Sequence, residues 1–106
     1  MARARNRNVR PDHALTHVVQ LDAALRIGSV AALYARLRDA IDGAVEVTLD
    51  AARVESTDTA SLQLLYAFVR EGRERGVEVR WHAPAKQLCR DARLLGLSVE
   101  MGLAGH

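Results

Sequence analysis

A single cysteine, Cys89, occurs in 106 residues, so no internal disulfide can form and no cysteine-rich metal site can be built, a usage that fits a reducing compartment. Aromatic residues are scarce: Tyr34, Tyr66, Phe68 and Trp81 make up 4% of the chain. They are not interleaved with Lys and Arg, as stacking on single strands requires. Nucleic acid is therefore not an expected partner. No run of about 18 apolar residues exists, which excludes a membrane-spanning helix and direct membrane insertion, and Met1–Arg10 lacks the apolar stretch of a secretory leader. The chain reads as cytoplasmic. His13, His17, His82 and His106 are dispersed, with no metal-ligand spacing between them. There is no glycine-rich phosphate loop, nucleophile elbow or carboxylate pair, so neither an enzyme nor a cofactor is expected.

What is present is ordinary globular material, 49% hydrophobic and 26% charged, enough for one domain with one core. The formal charge is +2, and Arg3, Arg5, Arg7 and Arg10 account for it, leaving the body near neutral. Residues 1–12 read as a disordered Arg-rich tail and residues 13–106 as a single domain.

Val19 and Leu21, then Leu25 and Ile27, alternate around a small-residue link at Asp22–Ala24, which predicts a hairpin or a bent strand pair. Ser29 is placed to cap a helix with Val30, Leu33, Leu37 and Ile41 on one stripe and Arg36, Arg38 and Asp39 facing away, stopping at Gly43. Val45, Val47 and Leu49 form a strand with one covered face. A longer helix runs from Thr59 to Arg75, with Leu62, Leu65, Tyr66 and Val69 inward, Leu64 and Phe68 widening the arc, and Gly76 as terminator. Val77, Val79 and Trp81 predict another strand, closed by Pro84. A short helix follows, with Leu88, Ala92 and Leu95 inward and Lys86, Arg90 and Arg93 outward. Leu97, Val99 and Met101 suggest a last short strand. Strands separated by helices imply an α/β class with a mixed, largely parallel sheet of four to five strands, an initial hairpin supplying an antiparallel edge.

One junction is chemically dense: Glu55-Ser56-Thr57-Asp58-Thr59-Ala60-Ser61-Leu62 crowds four hydroxyls and the carboxylates of Glu55 and Asp58 at the start of the longest helix. Unpaired amides and the positive end of the dipole meet there. With Asp58 as N-cap, accepting from the amide of Ala60 or Ser61, Thr59 takes the first helical position with its hydroxyl free. Two readings stay open: plain capping, or a hydroxyl that accepts a phosphoryl group carrying about −1.5 to −2 charge. Arg53 and Glu55 read as solvated charges. Cys89 reads as a small buried hydrophobe rather than a catalytic thiol.

The runs Val47-Thr48-Leu49-Asp50, Asp58-Thr59-Ala60-Ser61-Leu62, Gly76-Val77-Glu78-Val79 and Leu94-Leu95-Gly96-Leu97 resemble the STAS domain family over roughly Val18 to Leu103. That family includes anti-sigma-factor antagonists, bacterial lipid-transport accessory proteins and anion-transporter tails. In the antagonists the motif reads Asp-Ser-Ser-Gly-Leu, and its first serine is phosphorylated by a kinase that is also the anti-sigma factor. Asp58 and Leu62 match that motif, and Thr59 stands in the phosphoacceptor place. Ala60 and Ser61 replace the Ser-Gly pair, while the Asp-Thr wording and short ending are closer to the lipid-transport type. The resemblance implies a non-enzymatic interaction module in bacterial signal transduction. It would bind a histidine-kinase-like anti-sigma factor through Ser56, Thr57, Asp58, Ala60, Ser61, Gln63 and Tyr66. The alternative it implies is an accessory subunit binding the ATPase of an ABC-type lipid transporter. Binding of a nucleotide phosphate at the same helix start is a third, weaker reading.

Overall fold

Val47 and Leu49 sit at the centre of the molecule with no exposed surface, on the middle strand of a three-stranded parallel sheet. A computed structural model describes residues 16–106, and its elements follow the expected order up to the last helix, with β4 added and the expected final strand absent. They are β1 (Thr16–Gln20), β2 (Ala24–Leu25), a 3-10 turn (Ile27–Ser29), α1 (Val30–Ile41), β3 (Glu46–Asp50), β4 (Ser56–Thr57), α2 (Thr59–Arg75), β5 (Glu78–His82) and α3 (Lys86–Leu94). The expected Arg-rich tail lies outside the described residues. The class is α/β, as expected. Its five strands divide into a sheet ordered β1-β3-β5 and a two-stranded sheet of β2 and β4.

The antiparallel edge is not formed. Where the spacing of Val19, Leu21, Leu25 and Ile27 allowed a hairpin or a bent pair, the bent course is observed: β1 pairs parallel with β3, and β2 pairs parallel with β4. The Leu21 amide donates to the Asp50 carbonyl at 2.9 Å, and the Glu55 and Ser56 amides both donate to Ala23. The two chains thus run side by side, part, and pair again. Alternation fixes which face of a strand is buried but is silent on which strand lies beside it.

Helices cover one side of the main sheet. Val19, Val47 and Leu49 point into the core beside half-buried Val79 and Trp81. The other face carries polar Thr16, Gln20, Glu46, Thr48, Asp50, Glu78, Arg80 and His82, with Val18 at 67% exposure its one large apolar side chain. Parallel sheets are usually covered on both faces. Here the wet face is held by ion pairs from Arg80 to Glu46 at 3.2 Å and to Glu78 at 3.0 Å.

α2 has the predicted bounds, and Gly76 ends it in the left-handed conformation at φ 75°. Gly72, inside α2, lets the helix lie close to β5: a Cβ there would stand 2.6 Å from Val79 Cγ2 and 3.3 Å from the Val77 carbonyl oxygen. Val45 precedes its strand and is exposed. Tyr66 and Leu64 are half-buried flanks rather than core. Leu95 is not inward: α3 ends at Leu94, and its buried arc is Leu88, Cys89 and Ala92. Ser29 stands at the start of α1 without capping it, because its backbone is not extended and its hydroxyl donates to the Arg26 carbonyl. The final strand is replaced by a helical turn. The Met101 amide bonds Leu97, so Leu97 and Met101 share a face while Val99 is exposed. The Trp81 indole donates to the Met101 carbonyl at 2.7 Å and fastens this turn to β5.

Candidate functional site

The loop leaving β3 is pinned before it reaches the hydroxyl-rich segment. The Ala51 amide donates to His82 across the sheet, Val54 is buried, and the Asp58 amide donates to the Leu25 carbonyl at 3.0 Å. The start of α2 is therefore delivered to a fixed place.

Asp58 is the N-cap, with extended backbone, and one carboxylate oxygen accepts from the Ser61 amide at 2.9 Å. Its other oxygen accepts from the Ile27 amide at 2.6 Å. A single side chain thus closes two turns that lie 31 residues apart. The Ser61 amide chiefly, with smaller help from the Ile27 amide and the Arg26 charge, holds this carboxyl below the usual carboxylate range, against a partial desolvation that pushes it up. Thr59 follows at the first helical position and is exposed. Its hydroxyl stands at the positive end of the α2 dipole.

Thr59 lies on the lip of an open cleft of about 320 Å³, with Thr57, Asp58 and Leu62 on one wall and Asp91, Leu94 and Leu95 of α3 on the other. The Thr57 hydroxyl donates to Asp91 at 2.7 Å, and Gln87 donates to the other Asp91 oxygen at 2.9 Å. This tie bolts α3 to β4 beneath the cleft. Leu94 is 74% exposed and Leu95 44%.

The residues expected to meet a partner are only partly gathered on one surface. Thr59, Gln63 and Tyr66 fall at i, i+4 and i+7 on one face of α2, with Thr59 and Gln63 exposed and Tyr66 half-buried. Ser56, Thr57, Asp58 and Ala60 are half-buried at the rim. Ser56 takes a hydrogen bond from Arg26 at 3.3 Å, and the hydroxyl of Thr57 is committed to Asp91. Ser61 is a correction: it is 1% exposed and faces the core, so no visiting protein can touch it. Residue 61 lies within α2, whose ordinary helical backbone has no need of glycine there. Arg53 and Glu55 are exposed, as expected, and Cys89 is buried at 5% exposure.

Sequence reasoning missed Ile27, Gln87, Asp91, Leu94 and Leu95. Two adjacent leucines ahead of a helix-ending glycine cannot both face one core, and that was the available signal for an exposed leucine. Nothing local to Thr57 announces Asp91, 34 residues away. Among the described residues no group of three or more His, Cys, Asp or Glu is placed to hold a metal ion, and no helix is long and apolar enough to cross a membrane.

The fold is shared with two solved structures. A sulfate transporter family protein from Wolinella succinogenes superposes with a TM-score of 0.67 at 16% identity, over 82% of this chain and 71% of that one. The anti-sigma factor antagonist SpoIIAA in its unphosphorylated form gives a TM-score of 0.67 at 18% identity, over 80% of this chain and 76% of its own. No curated protein matches the sequence. The family model described as Mlab, STAS domain matches residues 10–103, so the chain belongs to the STAS domain family.

Proposed function

We propose that this domain is a non-enzymatic, cytoplasmic partner-switching module whose state is set by phosphorylation of Thr59. The observation that carries the reading is the exposed Thr59 at the first position of α2, on the lip of a cleft and beside a cap that does not consume its hydroxyl. Unmodified, the rim from Ser56 to Ala60 and the Thr59-Gln63-Tyr66 face dock on a histidine-kinase-like regulator. A phosphate at Thr59 adds charge that the helix start tolerates. Asp58 and Asp91 border the same cleft, so a partner seated over it would hold that charge desolvated among like charges, and the contact dissolves. The test compares Thr59→Ala and Thr59→Glu for affinity to the cognate kinase. Tight binding by the alanine variant and loss by the glutamate variant is expected; equal affinity overturns the switch.

A second reading rests on the family description, Mlab, STAS domain, and on the Asp-Thr wording of the motif. The domain then serves as a constitutive subunit bound to a transporter ATPase through the same helix start. Copurification with such an ATPase, unaltered by Thr59→Glu, would favour it over the switch.

A further inference from the structure

The outer face of α3 carries Lys86, Arg90 and Arg93, all exposed. At about 100° per residue they fall within roughly 60° of arc, one straight cationic stripe about two turns long. Four of the eight other arginines in the described structure are ion-paired. Arg36 meets Asp22, Arg70 meets Glu74, Arg75 meets Asp42 and Glu71, and Arg80 meets Glu46 and Glu78. The three α3 cations have no ion pair among the described residues. The helix's one acid, Asp91, is turned away to Thr57 and Gln87. Beside the stripe Lys86, Arg90 and Arg93 line an open cleft of about 260 Å³ with Pro84, Cys89 and His106.

An uncompensated stripe invites an anion, and its margin says which kind. Leu94 lies about 40° round the helix from Arg90 and is 74% exposed, and Val99 in the following turn is exposed equally. Aliphatic side chains beside cations on a convex helix are the pattern of a surface that rests at a headgroup layer. A nucleic acid would leave those aliphatics unburied, and no Phe, Tyr or Trp lines the cleft to stack a base.

We propose that the Lys86-Arg90-Arg93 stripe, with Leu94 at its edge, is a docking surface for an acidic phospholipid bilayer, contacted peripherally and without insertion of any element. The three cations lie outside the Thr59 cleft, Leu94 is shared with its wall, and the proposal does not depend on the function proposed for that cleft.

The experiment is flotation of the full chain with vesicles of phosphatidylcholine, with and without phosphatidylglycerol. The wild type should float only with the acidic vesicles, and binding should fall as salt rises. The triple variant Lys86→Gln, Arg90→Gln, Arg93→Gln should lose affinity about 100-fold, at roughly fivefold per cation. Glutamine keeps the helix propensity, and far-ultraviolet circular dichroism checks the fold. Leu94→Ser should bind more weakly with an unchanged salt dependence. A second variant with Arg3, Arg5, Arg7 and Arg10 all changed to Gln separates the N-terminal arginines from α3. Undiminished flotation of the α3 variant, loss confined to the N-terminal variant, equal binding to neutral vesicles, no flotation of the wild type, or tighter binding to duplex DNA each overturns the proposal.

Discussion

Replacing Thr57 by Val removes one hydroxyl and changes almost no volume, so it isolates the tie between β4 and α3. The bond lost is Thr57 Oγ1 to Asp91 Oδ2 at 2.7 Å, between two half-buried residues. Hydrogen bonds to charged groups contribute about 1.5–3 kcal/mol. Asp91 keeps its bond from Gln87 and some access to water, which places the loss at the low end, about 1.5 kcal/mol. At about 4–8 °C per kcal/mol for a domain of this size, the melting temperature should drop by roughly 6–12 °C. The assay that isolates the contact is a double-mutant cycle with Asp91→Asn, read from urea midpoints. A coupling of about 1 kcal/mol or more is expected, because the two side chains touch. Amide exchange in α3 should rise in both single variants. Additive losses with no coupling would refute the claim that this bond positions α3 against the cleft.

Three further outcomes test other parts of the structure. The depressed Asp58 carboxyl contributes stability that is complete above the unfolded value of about 4 and is lost as pH falls through its lower folded value. Asp58→Asn should therefore flatten the acid limb of a plot of urea midpoint against pH. Gly76→Ala places a Cβ at φ 75°. That costs about 1–2 kcal/mol, partly offset by about 0.4–1 kcal/mol from a stiffer unfolded chain, so calorimetry should find a net loss near 1 kcal/mol. Gly72→Ala gains about 1 kcal/mol of helix propensity but collides with Val79 at about 1–3 kcal/mol of overpacking. It should destabilise, and adding Val79→Ala should recover part of the loss.

The parts of the fold that were legible in the sequence are those fixed by neighbours along the chain. Asp58 capping α2, Thr59 opening it and Gly76 closing it are determined within one helical turn, where side-chain oxygens and backbone torsions decide the outcome. The inward faces of β3 and α1 followed from periods of two and 3.6 residues in the same way. What escaped depends on distant chain. The partnering of β1 with β3 rather than with its own successor is one case, and the clasp of Thr57 by Asp91 is another. Ser61 looked like surface because it sits in a polar run, yet helical phase turns it under α2 beside Leu62 and Leu65. The last turn was misread because Leu97, Val99 and Met101 satisfy a period of two in spacing, while the hydrogen bond from Met101 to Leu97 obeys a period near four. The proposed switch residue was found by local chemistry; the wall that faces it across the cleft was not.

The sheet that is dressed on one side only gives the molecule a natural handle. Thr48 and His82 project from the wet face, across the sheet from the helical layer that presents Thr59. A linker or dye attached at Thr48, in the middle of β3, would leave the helical layer uncovered on a sensor chip.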